Sequence, residues 1–194
     1  VFKVLFFARI DEKKNFLFVP DIVNIFKENH IKDFQFIIVG PGSKSNIRKL
    51  KNKIKILGLE SFIEIRDPIN TIQKKNNLFE EIDIFILPSS DEADSISIKE
   101  ALASGKPIVI SKECKFKSGE KSTDFIKIIE NKSAQLYYEE LINFYNNREE
   151  LESLSHKIKL YSEENFSIKS LSKWVPKIYV SCFNRSHGIR NNKN

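Results

Sequence analysis

Two carboxylates, Glu92 and Glu100, are separated by seven residues in SSDEADSISIKEALASGKPIVIS (residues 89–111), and two cations, Arg9 and Lys14, by four in ARIDEKKN. Ser97 and Glu100 have the spacing of a capping box, serine at the N-cap and glutamate three residues on, which predicts a helix that starts there and stops by Gly105. Glu92 then lies in the preceding loop and Glu100 in the first helical turn. The backbone N–H groups between Ser95 and Ile98 would open toward solvent at the positive end of the helix dipole. Such a site suits a phosphate flanked by hydroxyl-bearing groups. A capping role alone would also explain Glu100 without any ligand, and Glu92 reads equally as a solvated loop acid.

The letters Asp91-Glu92-Ala93-Asp94 spell the DEAD box of a helicase. A helicase also needs a Gly-x4-Gly-Lys-Ser/Thr loop to cradle phosphates. GPGSKS at residues 40–45 has the wrong glycine spacing and no Gly-Lys pair, so that reading fails.

These residues must be placed by a scaffold. VFKVLFFARI, FQFIIVG, FIEIR, IDIFILP, KPIVIS and DFIKII are short runs rich in Phe, Ile and Val, the pattern of strands buried on both faces. Helical stripes lie between some of them: Val19, Ile22, Val23 and Phe26, then Ile47, Leu50, Ile54 and Leu57. Alternating strand and helix predicts an α/β fold, a doubly wound parallel sheet. After residue 133 only helical stripes follow: Tyr138, Leu141, Ile142 and Tyr145; Leu151, Leu154, Ile158 and Tyr161; Ile168, Leu171, Val175 and Ile178. These predict C-terminal helices capping the sheet. One domain over residues 1–183 is expected, and a frayed basic tail over 184–194, where little can be buried. In such a sheet ligands sit beyond the carboxyl ends of the strands, which selects the loops Arg9–Lys14, Gly40–Ser45, Ser89–Glu100 and Ser111–Lys121.

The 194 residues include 16 Phe, three dispersed His and two Cys, Cys114 and Cys182, that form no C-x-x-C pair. No metal site and no disulfide are expected. No apolar run is long enough for a membrane span and no signal-peptide pattern opens the chain, so a cytoplasmic setting is expected. The sequence contains no Met and starts directly on a strand-like run, as a piece of something longer would. The net charge of +6 is compatible with nucleic acid, an anionic membrane surface or a phosphate-bearing ligand. Lys44, Arg48, Lys51 and Lys55 form a basic stripe beside the apolar one, and no acid interrupts residues 44–55. It reads as a solvated helix face or as a surface for anionic lipid.

PSSDEADSISIKEALASGKPIV resembles the signature segment of the C-terminal, donor-binding domain of retaining GT-B glycosyltransferases, the group 1 or family 4 class. The matching positions are Pro88, Ser89, Glu92, Glu100, Ala101, Ala103, Gly105, Pro107 and Val109. ARIDEKKN resembles the family's Gly-Arg-x4-Lys element, and FQFIIVGPGS its second-strand loop. The resemblance implies a Rossmann-like domain, one half of a GT-B fold, that binds a nucleotide-diphosphate sugar as donor substrate without a metal cofactor. It implies that Arg9 and Lys14 pair with the diphosphate, Glu92 contacts the donor sugar and Glu100 holds the ribose. The nucleotide side would further include Gly40, which reads equally as a turn residue, and Ser95 and Ile96. The acceptor, a glycan or lipid-linked glycan, would be held by a separate N-terminal domain, so this piece alone would transfer nothing; no nucleic-acid partner is implied. Ala93, Asp94 and Ser95 depart from the family's Gly-Phe-Gly, and Ala8 from its glycine. Residues 113–134 match the family poorly. Two other readings remain at this point: a catalytically silent domain of the same fold, and a receiver-like module. For the latter, Asp11 and Glu12 offer acids after the first strand but GPGS offers no Asp.

Overall fold

A computed structural model of the protein describes residues 1–116 and 123–167. Six strands form one sheet: β1 (Phe2–Phe7), β2 (Phe34–Val39), β3 (Ile63–Arg66), β4 (Ile84–Leu87), β5 (Ile108–Ser111) and β6 (Ile126–Ile129). Every pairing is parallel and the spatial order is β3-β2-β1-β4-β5-β6. This is the Rossmann order, in which the winding reverses between β1 and β4 and opens a crevice at their carboxyl ends.

Six α-helices complete the described chain: α1 (Val19–Glu28), α2 (Lys44–Leu57), α3 (Ile72–Glu81), α4 (Ile96–Ala103), α5 (Ala134–Asn146) and α6 (Leu151–Phe166). Alternate residues of β1 face opposite layers, as the pleat requires. Phe2 meets Tyr145 of α5 edge to face, with ring centroids 5.6 Å apart, whereas Phe7 meets Phe79 of α3 at 6.0 Å. On the first face α1 packs against α5, where Phe26 contacts Phe34, Phe36 and Tyr138. Elsewhere α6 packs along α4. Gly105 ends α4 with φ +75°, the left-handed C′ conformation that its glycine favours.

Two sequence expectations change here, and one helix is added. FIEIR and DFIKII are not buried on both faces: β3 pairs with β2 alone and β6 with β5 alone, and only Ile63 of the first strand, and Ile126 and Ile129 of the second, are buried. An edge strand keeps one flank and part of its face in water, and Arg66 uses that exposure to bind Glu64 and Glu81, both at 2.7 Å. The Arg66 guanidinium holds the Glu81 carboxyl down at about 2. On α5 the buried ridge is Tyr137, Leu141 and Phe144, one step round from the predicted stripe, with Tyr138, Ile142 and Tyr145 half-buried beside it. Helix α3 carries too sparse a stripe to be read from the sequence, since only Leu78 and Phe79 are buried in it. The predicted stripe Ile168–Ile178, Cys182 and the basic tail lie outside the described residues.

Candidate functional site

The loop after β1 begins with Arg9 and continues into a 3-10 turn, Glu12–Lys14. The Asp11 carboxylate caps that turn by accepting from the Lys14 backbone N–H at 3.1 Å. Asn15 follows in the left-handed conformation (φ 51°), which Asn tolerates better than most residues. The turn directs the Lys14 side chain toward the β4 exit, across the point where the winding of the sheet reverses.

The two exits are joined by a dense set of hydrogen bonds. The Asn15 side chain donates to the Pro88 carbonyl at 2.6 Å, and the Lys13 carbonyl accepts from the Ser90 N–H at 2.7 Å and from the Ser89 hydroxyl at 2.9 Å. The Ser111 hydroxyl, at the end of β5, donates to the Ser89 carbonyl at 2.5 Å, and the Glu92 N–H donates to the Glu113 carbonyl at 3.1 Å. Cys114 is free and buried beneath this junction, where its burial pushes the thiol up to about 11, so it acts as packing rather than as a nucleophile. Three strand exits therefore fix the backbone on either side of Glu92. The Pro-Ser of the signature has a structural reason: Ser89, wholly buried, links the β1 and β5 loops.

Within this frame Lys14 and Glu92 form an ion pair, 12% and 16% exposed, the most enclosed pair among the described residues. Arg9, Lys14, Gly40, Glu92, Ser95, Ile96 and Glu100 all border one cleft of about 650 Å³, together with Phe7, Pro68, Asn70, Lys75 and Asp94. The structure thus brings together every residue singled out from the sequence for this site. Arg9 borders the cleft at its open side, 69% exposed, and pairs with Asp11 at 3.4 Å. Gly40 is there for a steric reason. A Cβ on it would lie 1.8 Å from the Ala8 carbonyl oxygen, so the β1 and β2 exits can approach this closely only with glycine at the position.

The capping box does not form. Helix α4 begins two residues before the expected N1, with Ser95 as N-cap in extended conformation (φ −89°, ψ 116°) and no side-chain cap. Ser97 is already inside the first turn, its hydroxyl 3.0 Å from that of Ser95. Glu100 falls in the second turn, and instead of reaching back it accepts from Lys75 of α3 at 2.5 Å. By contrast, Ser43, Thr71 and Ser133 cap α2, α3 and α5 with their side chains. The N–H groups that open α4 at the cleft are thus left to other acceptors. Asp94, one of the departures from the family pattern, borders the cleft and is drawn to Lys99 at 2.6 Å. Sequence reasoning gave no role to Asn15 or Ser111, which brace the junction, and missed Phe7, Pro68, Asn70 and Lys75 of the cleft lining. Left-handed propensity was the only local signal for Asn15, and the Lys75–Glu100 contact spans 25 residues without one.

An all-parallel sheet in this order, with a charged cleft at the point where its winding reverses, defines a Rossmann-like domain, and the solved structures below identify it as one half of a GT-B fold. The chain belongs to the family described as glycosyl transferases group 1, whose model matches residues 1–147. A search among curated proteins returns no match. Solved structures share the fold. HepE of Anabaena, solved in complex with UDP, superposes with a TM-score of 0.78 at 17% identity, over 93% of this chain and 49% of its own. A glycosyltransferase from Rickettsia africae gives 0.78 at 18% identity, over 100% of this chain and 49% of its own. The C-terminal domain of the group 1 glycosyltransferase LpcC of Francisella tularensis gives 0.75 at 17%, over 86% of this chain and 87% of that domain. The chain therefore spans about half the length of HepE and of the Rickettsia enzyme.

Proposed function

We propose that this domain binds a nucleotide-diphosphate sugar, and that the full-length enzyme transfers the sugar with retention to a glycan or lipid-linked acceptor held by a second domain. The observation that carries this reading is the convergence of Arg9, Lys14, Glu92 and Glu100 on one cleft at the β1–β4 crevice. Sugar transfer with a nucleotide leaving group builds negative charge on the diphosphate. Fixed cations and helix N–H donors aimed there favour the transition state over the ground state. Arg9 and Lys14 fill the first role, and the uncapped first turn of α4 from Ser95 and Ile96 fills the second. This arrangement provides charge stabilisation from the chain's own groups, without a metal. Glu92, at the same exit, accepts sugar hydroxyls once Lys14 turns to phosphate. Glu100 accepts the ribose diol, and Gly40 lets the backbone close around the nucleotide. The complex of HepE with UDP supports a uridine nucleotide as one candidate ligand.

Titration of UDP, GDP and ADP into this chain by calorimetry is expected to show binding of at least one of them in the micromolar to millimolar range. Absence of heat with all three at millimolar ligand would overturn the donor-binding reading. Sugar transfer by the chain alone is expected to be undetectable, because the acceptor side of the cleft belongs to the other half of the fold.

The same proposal includes contact with an anionic membrane surface through α2. That helix has six cations and no acid, as many as the net charge of the whole chain, so the remainder is balanced. Lys49 pairs with Glu12 and Lys53 with Asp21. Lys44, Arg48, Lys51 and Lys55 are exposed without a partner among the described residues, within about 60° of arc at 100° per residue. Ile56, 82% exposed, follows them. Among the described residues no helix is long and apolar enough to cross a membrane, so contact would be peripheral, which suits a lipid-linked acceptor. Sedimentation is expected with vesicles containing acidic phospholipid and not with neutral ones, and Lys51→Glu/Lys55→Glu is expected to abolish it. Salt-insensitive binding, or none, would end the membrane proposal.

A further inference from the structure

We infer that Lys75 is a positioning residue of the donor site, one that presets the Glu100 carboxylate to read the vicinal hydroxyls of the nucleotide's ribose. The inference rests on the donor-binding reading above. Lys75 lies in the first turns of α3, after the Thr71 cap, where the helix dipole disfavours a cation. Helix stability alone therefore gives no reason for its placement. What holds it lies outside its own helix: the ammonium donates to Glu100 Oε1 at 2.5 Å and stands 5.9 Å over the Phe7 ring at the end of β1. The aromatic face and the carboxylate together fix a flexible side chain that is about 30% exposed.

The consequence for Glu100 follows from its acceptor inventory. An ionised carboxylate offers about four lone-pair directions. Lys75 takes one on Oε1, so the group is oriented while Oε2 and the remaining direction on Oε1 have no hydrogen-bond partner among the described residues, enough for two adjacent hydroxyls at the cleft that Glu100 borders. Since the expected capping box does not form, no backbone N–H from its own helix orients this side chain; within the described contacts Lys75 does. The pair also brings α3 and α4 together on one side of the cleft.

The test compares the tightest-binding of UDP, GDP and ADP with its 2′,3′-dideoxy analogue, by calorimetry on this chain and on Lys75→Met and Lys75→Arg. The wild type is expected to favour the ribonucleotide by about tenfold or more, the scale of a hydrogen bond to a charged group. Lys75→Met is expected to lower that preference several-fold, and Lys75→Arg to restore much of it. Lys75 is partly exposed and lies outside the buried core, which makes both variants compatible with folding, and Lys75→Gln serves the same comparison if the methionine variant precipitates. An unchanged preference in Lys75→Met, or equal loss for both nucleotides, overturns the inference while leaving donor binding standing. Failure of the wild type to bind any of the three nucleotides overturns the donor reading and this inference with it.

Discussion

Replacing Gly40 by alanine is expected to lower the melting temperature by roughly 6–12 °C, the equivalent of about 3 kcal/mol in a domain of this size. The methyl group would sit 1.8 Å from the Ala8 carbonyl oxygen and 2.7 Å from its carbonyl carbon, contacts that only a backbone shift relieves. The neighbour is not the end of a flexible side chain. It is the backbone that links β1 to Arg9, held in register by the Ala8 N–H donating to the Val39 carbonyl at 3.1 Å. Relief must therefore spread the β1 and β2 exits and displace Arg9 from the cleft. Calorimetric melting reads the first effect and nucleotide titration the second. Both are expected to fall together. A variant with wild-type melting and wild-type affinity would show that the close approach of the two exits is not needed.

This position illustrates what the sequence made legible. That a glycine lies after the second strand was visible, but not whether it served a turn or a ligand; the distance to Ala8 supplies a steric reason that neither reading contained. Central strands were readable because β1, β2, β4 and β5 are covered on both sides and need continuous apolar runs. β3 lies at an edge, and the alternation of Ile63 and Ile65 with Glu64 and Arg66 in FIEIR is the local sign of a half-exposed strand, which its apolar content masked. The α5 ridge was displaced by one residue because Tyr137 and Tyr138, and Leu141 and Ile142, form two adjacent stripes, and only packing against α1 and the sheet chooses between them. The Ser97–Glu100 spacing met the rule for a capping box, but Ser95 took the cap and Lys75 took the glutamate. Local patterns give way where a long-range charge partner competes. The predicted parallel sheet put the Arg9–Lys14 and Ser89–Glu100 loops at the same end of the strands, but the choice of Arg9, Lys14, Glu92 and Glu100 within those loops came from the resemblance of their motifs, since periodicity does not say which loop side chains converge.

The Lys14–Glu92 pair separates stability from binding. Lys14→Met is expected to cost about 2 kcal/mol, below the 3–5 kcal/mol of a fully buried broken pair because some water reaches the site. The Glu92 carboxylate would keep its place between the β1 and β5 loops with its only described cation removed. The double variant Lys14→Met/Glu92→Gln leaves no unmatched charge and is expected to recover most of the lost melting temperature. Its affinity for nucleoside diphosphate is not expected to recover, because a charge-assisted bond to phosphate worth about 1.5–3 kcal/mol, or roughly 10- to 150-fold, is gone in both. Glu92→Gln alone is expected to behave oppositely. It releases the Lys14 ammonium, so the bare nucleoside diphosphate binds at least as well as to wild type, while the additional affinity conferred by a donor's sugar is lost with the carboxylate that accepts its hydroxyls. Calorimetry with matched diphosphate and diphosphate-sugar across the four proteins reads all of these differences. Wild-type affinity for the diphosphate in the double variant would remove Lys14 from the phosphate site, and an undiminished sugar increment in Glu92→Gln would remove Glu92 from the sugar site.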